Sequence, residues 1–104
     1  MAVAVTRDDP PRVFLAESDA VLSRVVALRL VARTRPSEFR EPADLIEIRR
    51  ALLDERWSDA VFRWMEATGE VVDAYPDEEV WTAAQLDAER TSLETRVTPI
   101  FEDP

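Results

Sequence analysis

The 104-residue chain contains no cysteine, no histidine, no lysine and no asparagine, and its only glycine is Gly69. Without cysteine there are no disulfides, and the thiolate and imidazole ligands that zinc, haem and iron–sulfur centres ordinarily use are missing. A Ser-His-Asp or Cys-His nucleophile cannot be assembled, nor a lysine Schiff base, nor a phosphate loop built on lysine. Any enzyme made from these residues has to work with carboxylates, Tyr75, arginines, hydroxyls or a hard cation, and no cofactor is expected. The shortage of glycine acts on the backbone instead. Tight hairpins usually place glycine at left-handed turn positions, so a chain with one glycine is expected to be mainly α. The expected fold is a small helical bundle with room for one or two short strands.

What is present fits one core. A hydrophobic share of 46% is ordinary for a folded protein, and a chain of this length buries a single core rather than two. All thirteen basic residues are arginine, which is the mark of a genome biased in base composition before it is the mark of a site. The opening "MAVAVTRDDPP" is too short and too interrupted for a secretory signal. No apolar run approaches the roughly 20 residues needed to span a bilayer. A cytoplasmic protein without membrane association is therefore expected.

Residues 1–11 read as a flexible tail closed by the paired prolines of "DDPP", residues 12–98 as one helical domain, and residues 99–104 as a second tail. "RVFLAE" (12–17) is a short strand or an apolar lead-in. Ser18 then caps a helix whose apolar residues form two stripes, Val21/Val25/Leu28/Ala32 and Leu22/Val26/Leu30. Such a helix is expected to be central and contacted on both sides. A helical hairpin follows over residues 43–68. Its apolar face shifts by a quarter to a third of a turn after Arg56, which one straight helix does not accommodate. A turn near Glu55, with Ser58 as the new N-cap and Trp57 stapled to Phe62, removes the conflict, and Gly69 closes the second helix.

Trp57, Ala60, Trp64 and Ala67 resemble the second half of a tetratricopeptide-type hairpin, in which aromatic and small residues alternate at spacings of three, four and three. The resemblance spans about a dozen residues, with Asp44 and Glu47 where the first half would carry large apolar side chains, and no second copy occurs although such arrays need about three. It implies an α-hairpin with both tryptophans on the inward stripe. After it, "EVVDAYP" (70–76) is a connector or short strand. Asp77 is expected to cap a final helix with the thin stripe Ala83, Leu86, Arg90, Leu93 and Val97, stopped by Pro99.

The net charge of −9 is concentrated at one end. Residues 1–69 carry twelve acids and eleven arginines, for −1, whereas residues 70–104 carry ten acids and two arginines, for −8. Nucleic acid is thereby disfavoured as a partner, because affinity for it comes from cationic contacts to phosphates. A basic protein is the better match. The expected function is a non-catalytic acidic interaction module, a small adaptor or regulator, whose interface uses Trp81, Tyr75, Phe101, Glu78 and Glu79. The thin last stripe and the apolar residues behind it also suggest a homodimer. The alternative is a Mg²⁺- or Mn²⁺-dependent hydrolase of helical-bundle type, with Asp44, Glu47, Glu66, Glu70, Asp73, Glu78 and Glu79 as the available carboxylates. Arg24, Arg29, Arg33 and Arg35 are expected to pair with acids of the C-terminal third.

Overall fold

The N-terminal residues expected to be a tail lie instead at the centre of a sheet. In the computed structural model, which describes the backbone of residues 1–102 and the side chains of residues 1–93, β1 (Ala2–Thr6) is flanked by β2 (Val13–Ala16) and β3 (Val72–Tyr75) in the order β2-β1-β3, antiparallel throughout. The β1–β2 connection needs no glycine, because residues 7–12 reverse the chain over six positions that include Pro10 and Pro11. Across that reversal Thr6 N–H donates to Arg12 O (2.9 Å) and Arg12 N–H donates to Thr6 Oγ1 (2.8 Å). Glycine shortage excluded the two-residue turn but not the hairpin, so the sheet is larger than the composition suggested. The described residues are mostly helical with a small sheet: among them are four α-helices, two short 3₁₀ turns and three strands.

The first three helices lie on one face of the sheet. Ala2, Ala4 and Thr6 of β1 and Ala16 of β2 point toward them and are buried. Helix α1 (Asp19–Arg29) starts where expected, with Val21 N–H donating to Ser18 Oγ. Its Leu22/Val26/Leu30 stripe is core, with Ala27 buried beside it, and the helix packs both on the strands and on the α-hairpin that follows, whereas Val21, Leu28 and Ala32 of the other stripe face outward. After a 3₁₀ turn at Val31–Arg33, helices α2 (Pro42–Leu53) and α3 (Trp57–Thr68) form the predicted hairpin.

The reversal between α2 and α3 is a Schellman closure. Glu55 occupies the left-handed position at φ 57°, Arg56 N–H donates to Ala51 O (2.9 Å), and Glu55 N–H donates to Leu52 O (3.1 Å). Because the turn is completed by backbone, α3 begins at Trp57 with no side-chain cap, and Ser58 is not its N-cap. The Ser58 hydroxyl instead donates to Ser23 Oγ at 3.2 Å, tying α3 to α1. Phe62 is exposed and Trp57 half-buried under the Arg24 guanidinium, 5.7 Å from the ring centre. Gly69 ends α3 at φ 78°, as its sequence position indicates.

Trp64 is the large side chain of the core. It is 6% exposed, its Nε1–H donates to Thr34 Oγ1 (2.8 Å), and that hydroxyl donates onward to Leu30 O (2.9 Å). The relay satisfies the indole where burial would otherwise leave it unpaired. The last helix, α4 (Ala83–Glu102), starts six residues after Asp77 and continues past Pro99, so neither predicted end is right. Pro99 removes one backbone donor but keeps a helix-compatible φ.

Two stability measurements check these local arguments. Glu55→Gly removes the left-handed strain of an L-residue and is expected to raise stability by about 0.5–1 kcal/mol in urea unfolding. Thr34→Val leaves the buried indole N–H without its acceptor and is expected to lower stability by about 1–3 kcal/mol in the same assay.

Candidate functional site

From Ala74 to Leu93 every residue is exposed, twenty in succession. This run is the end of β3, a connector and the first half of α4, and it forms an arm that leaves the body of the molecule. The overall extents are 71 × 25 × 18 Å and the radius of gyration is 20.8 Å, against about 13 Å for a compact chain of this length. The root of the arm is fixed by backbone: Glu78 N–H donates to Met1 O (2.8 Å) and the Met1 ammonium donates to Glu78 O (3.1 Å), continuing the β1–β3 pairing beyond Tyr75.

The helix of the arm is started by a capping box that the sequence displays and that was assigned to the wrong residue. Thr82 Oγ1 accepts from Gln85 N–H (3.2 Å), and Gln85 Oε1 accepts from Thr82 N–H (2.8 Å). The T-A-A-Q spacing is the recognisable signal. Asp77 has the right chemistry for a cap, but the residues after it are held by the Met1–Glu78 ladder and by the extended stretch to Thr82.

The predicted interface residues are divided by this geometry. Trp81 (52% exposed) and Glu79 border an open hollow with Val80, Gln85, Ala88 and Glu89. Tyr75 lies on β3 opposite Val3, on the sheet face away from the helices. Glu78 sits at the root, its backbone committed to Met1. The side chain of Phe101 lies outside the described residues. Trp81 and Glu79 are brought together, then, and Tyr75 belongs to another surface.

The acidic residues named for a hydrolase are dispersed. Asp73 is paired with Arg7 and Glu47 with Arg50, and among the described residues no three acidic side chains converge to hold an ion. The expected pairing of the α1 arginines with the acidic third is not found: among the described residues Arg24, Arg29, Arg33 and Arg35 make no ion pair, and Arg24 lies on Trp57 instead. The arm carries its acids away from α1, which is why they do not meet. Between α1, α3 and β3 there is an apolar cleft of about 180 Å³, bordered by Leu22, Val26, Val61, Phe62, Met65 and Val72. It is smaller than the roughly 300–1,000 Å³ of ordinary ligand sites. No described helix is long and apolar enough to cross a membrane.

Comparison with known proteins finds no matching family model, no matching curated protein and no matching solved structure.

The ion pair between the end of β1 and β3 is bidentate. Arg7 Nε and Nη2 each donate to an Asp73 carboxylate oxygen at 3.1 Å. Hydrogen bonding and charge from Arg7 hold the Asp73 carboxyl below its ordinary value. A carboxyl lowered by folding contributes stability above the unfolded value of about 3.9, and that contribution is lost as pH falls through the lower folded value. Carboxyl NMR should place the Asp73 midpoint below about 3.9. The stability difference between wild type and Asp73→Asn should shrink on acidification through that range; a midpoint at the ordinary value would contradict the pairing.

Proposed function

We propose that the protein is a non-catalytic interaction module, a small acidic adaptor or regulator that binds a protein partner through its arm in a cytoplasmic setting. The observation that supports this reading is the unbroken exposure from Ala74 to Leu93, a stretch that includes Tyr75, Val80, Trp81, Leu86 and Leu93. Large apolar side chains held on an extended, hydrogen-bonded scaffold gain free energy when another surface covers them, about 25 cal/mol for each Å² of apolar area removed from water. Tryptophan is a frequent anchor of such contacts. The surrounding charge favours a basic partner and opposes nucleic acid, since Asp77, Glu78, Glu79 and Asp87 stand around the aromatic residues.

Affinity capture from native lysate with wild type and Trp81→Ala tests the proposal. Trp81 is largely exposed, so its replacement should leave the melting temperature and circular dichroism unchanged. A partner held by wild type should be lost from the variant, with at least a tenfold fall in affinity when the pair is reconstituted, as expected for an aromatic anchor worth about 2 kcal/mol. Equal retention by the two proteins would remove Trp81 from the interface.

A further inference from the structure

We propose that two copies of this chain associate by reciprocal exchange of their arms, the α4 of each lying across the outer face of the other's sheet. The inference rests on the arm being an interaction element, as proposed above, but it uses the other side of α4 and identifies the partner of that side as a second copy.

The outer face of the sheet is where the sequence and the fold disagree with a solvated surface. An antiparallel sheet with one wet face alternates apolar and polar residues along each strand. Here "AVAVT" and "VFLA" are nearly continuous apolar runs, the pattern of strands covered on both sides. Parity sends Ala2, Ala4 and Thr6 to the helices and Val3 and Val5 outward. The register then aligns Leu15, Val3 and Tyr75 in one cross-strand row and Val13, Val5 and Asp73 in the next. Val13 and Leu15 are 56% and 60% exposed. Asp73 is the one charged residue in these two rows, and it is ion-paired with Arg7 at the rim.

The chain also carries a helix in need of such a surface. At 100° per residue, Ala83, Leu86, Arg90 and Leu93 fall on one side of α4, roughly 130° from Gln85, Ala88 and Glu89, which border the hollow beside Trp81. No described residue of α4 is buried, although a helix of this length in a protein draws most of its stability from packing. The dimensions correspond. The stripe from Ala83 to Leu93 rises about 15 Å, the five residues of β1 extend about 17 Å, and a helix about 10 Å across covers the width of three strands.

A second copy fits better than the chain's own helix for two reasons. The Met1–Glu78 hydrogen bonds hold the arm at the end of the sheet, after a turn at Pro76 and Asp77, and the 71 Å long axis sets α4 clear of the body. Two-fold exchange also doubles the contact. Each of the two symmetric contacts then needs only about 400 Å² from each partner for the whole to reach the roughly 1,600 Å² of a standard stable interface.

Sedimentation equilibrium of the full chain at micromolar concentration, with three single variants, tests the proposal. Wild type should sediment at twice 11.9 kDa. Leu15→Glu and Val13→Glu on the sheet and Leu93→Glu on the helix should each weaken the dimer by on the order of 100-fold. All three residues are exposed in the single copy, so circular dichroism should show each variant folded. Trp81→Ala, on the opposite side of α4, should remain dimeric. A monomeric wild type overturns the proposal, as does a dimer sensitive to Leu93→Glu but indifferent to both sheet variants, which would mean that α4 pairs with α4. The interaction reading is judged separately, because a monomer that still captures a partner through Trp81 keeps that reading and loses this one.

Discussion

The spacing between sheet and helices is set by alanine. Ala2, Ala4, Ala16, Ala27, Ala51 and Ala60 make up half of the twelve buried apolar residues among those described. These short side chains let α1 approach β1 and let α2 and α3 approach each other, while Trp64 fills the one deep space with its indole held by Thr34. Close approach has a cost in driving force. An alanine side chain removes little apolar area from water compared with leucine or phenylalanine, and hydrophobic stabilisation scales with that area. The helical side of the sheet is consequently well fitted but thin, and larger apolar residues such as Leu15, Phe62, Trp81, Leu86 and Leu93 remain outside.

That division explains the shape of the surface. A domain of this size is marginal when it buries a small core, and here a substantial part of the apolar material lies on the outer sheet face and along the arm. Both surfaces are held by hydrogen bonds: backbone bonds in the β1–β3 ladder and between Met1 and Glu78, and side chain–backbone bonds in the Thr82–Gln85 box that starts α4. Their rigidity lowers the entropy lost when a partner settles on them. An arm with Trp81 on one side and Leu86 and Leu93 on the other presents two distinct apolar surfaces from one element.

Local signals were legible in the sequence wherever a few neighbouring residues decide the outcome. Ser18 caps α1, Gly69 ends α3, and the shift of the apolar face after Arg56 marks a real reversal. Even so, the reversal is closed by Glu55 in a left-handed conformation rather than by a Ser58 cap, because the backbone bonds to Ala51 and Leu52 already satisfy the helix end. Trp64 faces inward as its stripe predicts, while Trp57, on the same stripe, is only half covered because Arg24 rather than a helix lies over it. The Thr82–Gln85 box was equally local and readable, and Asp77 concealed it by having suitable chemistry five residues too early.

The sequence by itself determined which chemistries are impossible, where the acidic charge is concentrated, and that a helical hairpin occupies the middle of the chain, since composition and short-range periodicity do not depend on the rest of the fold. Only the tertiary structure decided that residues 2–6 are the central strand. Val3 pairs with Leu15 on one side and with Tyr75, near the other end of the chain, on the other, and no local pattern encodes a partner so distant. Tertiary structure likewise decided that one stripe of α1 is core and the other open, and that the arm stands apart from the arginines expected to meet its acids. Burial is a property of what lies opposite a side chain, and the identity of that neighbour is fixed by long-range pairing rather than by adjacent residues.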